Sequence, residues 1–273
     1  MGRITATFDR LRARNEAALI PYLMAGYPSL EATKELLYAI VSAGADLVEL
    51  GIPFSDPLAD GATLQRANHM ALQEGVSLRL ALEMVSSVRD QIEVPLVLMS
   101  YFNPIVRLGE PDFAREAAAA GVDGLIIPDL PAEEGASLRQ ECAAVGIDLV
   151  GMIAPTSPDE RLRSIAASAS GFVYCVSLKG VTGARNRLPV GVDSLMARVR
   201  RATTLPAVVG FGLSSADHIR DVTRFADGVV VASALLDRID SDPQHRPNAA
   251  ASFVAELKAA CRGAAANSIV PQV

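Results

Sequence analysis

Short apolar runs alternate with longer amphipathic stretches along almost the whole chain. The runs lie near residues 19–25, 47–50, 96–99, 124–127, 149–153, 172–176, 207–210 and 228–231. They lack a strict polar alternation, which predicts strands covered on both faces. Helix-period patterns fill the gaps at 30–43, 61–90 (in one or two pieces), 112–120, 132–145, 158–168, 191–201, 214–223 and 249–262. At several joins the same motif recurs, as in Ala43-Gly-Ala-Asp-Leu-Val-Glu-Leu50, Ala120-Gly-Val-Asp-Gly-Leu-Ile-Ile127 and Val145-Gly-Ile-Asp-Leu-Val-Gly-Met152. The glycine in each suits the left-handed residue that ends a helix.

About eight strand–helix pairs in this length predict an α/β chain folded as a closed (β/α)8 TIM barrel. An open doubly wound sheet is the rival, but residues 26–30 do not supply its Gly-x-Gly-x-x-Gly turn. Residues 1–14 alternate Phe8 and Leu11 with charged residues and read as an extra N-terminal amphipathic helix. They lack the apolar core of a secretory signal. The polar, Pro-bearing stretch 237–248 reads as a loop, and 263–273 as a frayed tail. No linker divides the chain, so one barrel domain spanning 1–273 is expected.

In such a barrel, chemistry gathers at the C-terminal ends of the strands. Glu49 interrupts an apolar run there, and burying a carboxylate without a partner is costly. Asp60 closes the Pro-rich loop that follows. Two carboxylates in different surroundings can divide acid and base roles. A structural ion pair for Glu49 and a helix N-cap for Asp60 are the plain alternatives, and spacing alone does not separate them. Tyr22, Tyr101, Tyr174 and Phe211 fall at four strand ends, either as core filling or as the walls of a flat aromatic pocket. The last three strand ends carry Gly180-Val-Thr-Gly183, Gly210-Phe-Gly212 and Ala232-Ser233. Such turns expose backbone amides, the chemistry that holds phosphate in these barrels. Lys179 reads as a solvated loop lysine.

Composition narrows the classes. A net charge of −6 argues against a nucleic-acid binder. No apolar stretch is long enough to span a bilayer. Cys142, Cys175 and Cys261 are too scattered for a disulfide framework or a zinc motif, and His69, His218 and His245 are isolated, so no metal site is expected. A reducing, cytoplasmic setting is the natural reading.

The stretch Leu47-Val-Glu-Leu-Gly-Ile-Pro-Phe-Ser-Asp-Pro-Leu-Ala-Asp-Gly61 resembles the signature of the tryptophan synthase alpha chain family. Pro21-Tyr-Leu-Met-Ala-Gly-Tyr-Pro28, Asp129-Leu-Pro131, Gly180-Val-Thr-Gly-Ala184 and Gly210-Phe-Gly212 match its other landmarks in order. The resemblance implies cleavage of indole-3-glycerol phosphate to indole and glyceraldehyde 3-phosphate without cofactor or metal. It implies Glu49, Asp60 and Tyr174 as catalytic groups. Tyr22, Tyr101 and Phe211 would bind substrate, with Thr182 on a lid and Gly183, Gly212, Ala232 and Ser233 on the phosphate. It also implies a beta-chain partner that carries pyridoxal phosphate, in an alpha-beta-beta-alpha tetramer. Pro53, Asp56, Pro57, Asn103 and Pro104 would face that partner. Ala232 stands where the family usually has Gly, and Tyr22 where it often has Phe. A free-standing lyase, a catalytically silent activating subunit and another phosphate-binding barrel, such as an isomerase of the same biosynthetic route, are the alternative readings.

Overall fold

The computed structural model describes residues 2–176, 191–210 and 212–262. Nine parallel strands form one sheet: β1 (Ala18–Met24), β2 (Val48–Gly51), β3 (Leu96–Met99), β4 (Gly124–Ile126), β5 (Asp148–Leu149), β6 (Gly151–Ile153), β7 (Val173–Val176), β8 (Ala207–Gly210) and β9 (Gly228–Val231). Their order is β5-β4-β3-β2-β1-β9-β8-β7-β6. β5 and β6, at opposite ends of that order, are successive pieces of the expected fifth strand, separated only by Val150. The ring is therefore completed through that strand, and the fold is the (β/α)8 barrel. β1 is buried along its whole length, and so is β2, as strands walled by helices on one side and packed interior on the other must be.

The helices are α1 (Arg3–Ala13), α2 (Leu30–Ser42), α3 (Ala62–Gln73), α4 (Leu78–Val88), α5 (Phe102–Leu108), α6 (Glu110–Ala120), α7 (Ala136–Val145), α8 (Asp159–Ser168), α9 (Val192–Ala202), α10 (Ala216–Val222), α11 (Ser233–Ser241) and α12 (Arg246–Ala260). The extra helix α1 lies across the N-terminal end of the barrel. Ile4, Phe8 and Leu11 are buried there, and the Phe8 ring meets Phe172 at 5.9 Å. A β-carbon on Gly124 would collide with Ile4, so glycine at that position lets the helix seat.

One expectation is corrected and one helix was not anticipated. The expected loop 237–248 is mostly helix: α11 runs to Ser241 and α12 starts at Arg246. Asp237, Arg238 and Asp240 are the polar face of a helix whose Leu235, Leu236 and Ile239 are buried. Pro247 stands in the first turn of α12, where its missing N–H costs nothing. α5 is a seven-residue helix that was not anticipated. Its one buried side chain among the helical residues is Ile105, too little to create a legible period. The expected tail lies outside the described residues.

Charged clusters fasten the N-terminal end. The Lys258 ammonium, on α12, donates to both Asp46 oxygens at 3.1 and 2.9 Å and to Glu16 at 3.1 Å. Asp46 in turn accepts the Leu19 amide at 2.8 Å, so the cluster joins α12 to the starts of β1 and β2. Removing one member of a buried ion cluster leaves an uncompensated charge. Lys258→Ala is therefore expected to cost about 3–5 kcal/mol, read by equilibrium denaturant unfolding. A loss below about 1 kcal/mol, the value of an exposed pair, would mean that the cluster is effectively solvated.

Candidate active site

Glu49 lies on β2, paired in register with Tyr22 of β1 and Val97 of β3. Its side chain is 2% exposed, and it forms no ion pair with any described residue. Its Oε2 atom is buried without a hydrogen-bond partner among the described residues. Among the described residues, then, nothing supports the ion-pair alternative. Desolvation, reinforced by the negative charge of Asp60, raises its carboxyl to about 8. At neutral pH Glu49 is a neutral acid holding a proton.

Asp60 differs in setting and state. Burial raises it to about 6, opposed by a hydrogen bond from the Tyr101 phenol at 3.4 Å. It is mostly ionised at pH 7. It does not cap α3: Gly61 occupies the cap position, with no side-chain hydrogen bond. Tyr101, at the end of β3, also accepts the Ala59 amide at 2.9 Å, and the Phe54 ring stacks on it at 5.1 Å. At the other end of the loop, the Asn68 side chain on α3 binds both backbone polar groups of Phe54. Asn68 and the loop-holding role of Tyr101 were missed from sequence. The signal was a polar residue on the buried Leu64, Ala67, Asn68, Ala71 stripe.

The two other tyrosines belong to the same mouth. Tyr22 is fully buried, and its hydroxyl reaches only Met24 Sδ, at 3.9 Å, among the described residues. Burial and the charges of Asp60 and Glu49 hold its phenol well above the ordinary range. Tyr174, on β7, is likewise raised by burial and by Glu49. Each ring depends on a facing glycine: a β-carbon at Gly51 would overlap the Tyr22 hydroxyl, and one at Gly210 the Tyr174 hydroxyl.

Just past β9, Ala232 is the cap of α11 and Ser233 its first residue. The first amides of a helix have no internal acceptor and favour an anion. Ala232 has φ −113°, so its departure from glycine does not call for the left-handed backbone that favours glycine. Gly212 has φ +61°, where a side chain would be strained. Thr182, Gly183, Phe211 and Lys179 lie outside the described residues.

Of the residues expected at a partner surface, Asp56 and Asn103 are exposed, Pro57 and Pro104 half-buried, and Pro53 buried. Leu58 is 93% exposed and Val106 52% exposed on the same two elements, the loop and α5. A cavity of about 490 Å³ lies to one side, among the β4 loop, α7 and α8, and neither Glu49 nor Asp60 lines it. Among the described residues no group of His, Cys, Asp or Glu could hold a metal ion. The three cysteines are free and buried, each thiol pushed up to about 12 by burial.

A neutral buried acid, an ionised neighbour and a helix N-terminus gather at the C-terminal rim of a (β/α)8 barrel, the face where barrel enzymes carry their chemistry. The family described as tryptophan synthase alpha chain matches residues 8–266, and the chain belongs to that family. It is 53% identical to the tryptophan synthase alpha chain of Roseiflexus castenholzii over 260 residues, covering 94% of this chain and all of that protein. The corresponding protein of Chloroflexus aggregans is 51% identical over 262 residues, covering 95% and 98% of the two chains. Among solved structures, tryptophan synthase of Mycobacterium tuberculosis superposes with a TM-score of 0.89 at 37% identity, covering 96% of this chain and 98% of that one.

The raised Glu49 carboxyl has a consequence for stability. Between the ordinary 4.5 and about 8 the folded protein holds a proton that the unfolded chain has released. Stability therefore falls as pH rises through that window. Glu49→Gln cannot ionise, so its Tm is expected to exceed the parent's by several degrees near pH 8.5, with the gap nearly closed near pH 5. A gap independent of pH would show that the carboxyl is not desolvated.

Proposed function

We propose that this chain cleaves the carbon–carbon bond of indole-3-glycerol phosphate as the alpha subunit of tryptophan synthase, with Glu49 and Asp60 as its catalytic groups. Family membership supports the reaction. The observation that carries the residue roles is the split between the two carboxyls, neutral Glu49 beside ionised Asp60.

Glu49 gives its proton to ring carbon C3 of the indole. Positive charge then appears on the ring nitrogen, and the Asp60 carboxylate accepts that N–H and stabilises the charge. The bond from C3 to the glycerol carbon breaks, and its electron pair returns to the ring. The hydroxyl on that carbon loses its proton to the Glu49 carboxylate and becomes the aldehyde. Glu49 ends protonated, so the cycle balances without a cofactor. Tyr22, Tyr101 and Phe211 wall the ring, with Tyr174 beside Glu49. Gly212, Ala232 and Ser233 would hold the phosphate; the roles that the family resemblance implies for Gly183 at the phosphate and Thr182 on a lid fall outside the described residues.

Family membership implies a beta-chain partner. Our reading is an alpha-beta-beta-alpha tetramer in the cytoplasm, with pyridoxal phosphate only in the beta chain. Asp56, Pro57, Asn103 and Pro104 would face it, and Pro53 would support the loop from beneath. The exposed Leu58 and Val106 favour this over a free-standing lyase, which would gain nothing by leaving both in water.

Indole release, measured with the chain alone and with a tryptophan synthase beta chain, tests the subunit reading. Slow release that rises severalfold with the partner is expected. Fast release without stimulation would establish a free-standing lyase. The residue roles predict a bell-shaped pH dependence of kcat/KM, with limbs near 6 and 8. Asp60→Asn should remove the lower limb, and either Asp60→Asn or Glu49→Gln should lower kcat by about 10²–10⁴-fold in folded protein. Near-parental turnover in either variant would refute its role.

A further inference from the structure

We propose that Asn68 is a positioning residue for Asp60, acting through the loop between β2 and α3; this rests on the reading of Asp60 above. Asn68 is 3% exposed and sits on the apolar stripe of α3 with Leu64, Ala67 and Ala71. An alanine or leucine would serve packing there at least as well. The amide is instead used in full. Its Oδ1 accepts the Phe54 N–H at 2.8 Å, and its Nδ2 donates to the Phe54 carbonyl at 2.7 Å. A carboxamide carries the donor and acceptor of a peptide group, so it holds Phe54 much as a neighbouring strand would.

From Phe54 the restraint passes to Asp60 through direct contacts. The Phe54 ring stacks on Tyr101 at 5.1 Å and 27°. The Tyr101 phenol accepts the Ala59 amide at 2.9 Å and reaches Asp60 Oδ1 at 3.4 Å. Between these two anchors the loop stands in water, with Ser55, Asp56, Leu58 and Ala59 all exposed. Among the described residues the loop has two tethers, one at Phe54 and one at Ala59–Asp60, where the Gln65 side chain also donates to the Asp60 carbonyl at 2.9 Å, and the stacked rings link them. Without Asn68 the first tether is lost, two Phe54 backbone groups lose their partners, and the Tyr101 ring loses its seat. Among the described residues the Asn68 side chain hydrogen-bonds only Phe54 and neither carboxyl, so its effect on chemistry has to run through Asp60's position.

The test measures steady-state cleavage of indole-3-glycerol phosphate from about pH 5 to 9, with and without a beta chain, for the parent, Asn68→Ala, Tyr101→Phe, Asp60→Asn and Asn68→Ala/Asp60→Asn. Thermal unfolding is recorded for each. Misplacing a catalytic group by about 1 Å costs about 10²-fold. Asn68→Ala is thus expected to lower kcat by about 10–100-fold with KM changed by less than about 3-fold, and to displace the lower limb of the pH profile. Tyr101→Phe should displace the same limb. In the Asp60→Asn background, Asn68→Ala should cost nothing further. A variant with lower Tm but parental kcat and pH profile would overturn the proposal, as would an equal kcat loss in both backgrounds. Should Asn68→Ala fail to fold, Asn68→Asp keeps the acceptor for the Phe54 N–H and loses the donor. It is expected to show the same limb displacement, and a parental profile there also overturns the proposal. Parental turnover in Asp60→Asn would instead overturn the reading of Asp60 itself.

Discussion

The Glu49 carboxyl sits out of water at the end of a barrel strand, and ionising it there is costly enough to keep it protonated at neutral pH. The rest of the site is arranged around that cost. Tyr22 and Tyr174 crowd the same interior and help exclude solvent, each admitted by a glycine on the neighbouring strand. Asp60, whose charge also raises Glu49, is placed on a loop where partial solvation and the Tyr101 phenol keep it ionised. One fold thus presents an acid and a base of the same chemical type, distinguished only by surroundings.

Asp60 needs a different kind of support because a loop does not place a side chain as firmly as a strand does. The support comes from three segments that meet only in the folded barrel. α3 supplies Asn68, the end of β3 supplies Tyr101, and the loop itself supplies the Phe54 ring between them. The same loop presents the exposed Leu58, so a partner docked on it would press on the segment that carries Asp60.

Much of the fold was legible because parallel barrel strands are buried on both faces and read as unbroken apolar runs. The glycine-ended joins fixed where each began. α5 and α11 were not legible: α5 is seven residues long with one buried side chain, and in α11 the buried Leu235, Leu236 and Ile239 are interleaved with Asp237, Arg238 and Asp240. The polar face of α11 therefore passed for a loop. Glu49 stood out because a charge within an apolar run has few innocent explanations. Asp60 did not, since a residue just before a helix is equally well placed to cap it, and only the Gly61 cap geometry excluded that. Asn68 was hidden because its partner, Phe54, lies fourteen positions back, on no shared helical face.

By itself the sequence determined the alternation of strands and helices, the barrel that alternation demands, and the two carboxylates at one strand end, because these rest on local hydrophobic period and on residue type. The tertiary structure alone decided that β5 and β6 close the ring, that Glu49 keeps its proton while Asp60 loses its own, and that Tyr101 and Asn68 hold the loop. Those outcomes depend on how much water is removed from each group and on which distant residues remove it, a sum over neighbours that adjacency in the chain does not encode.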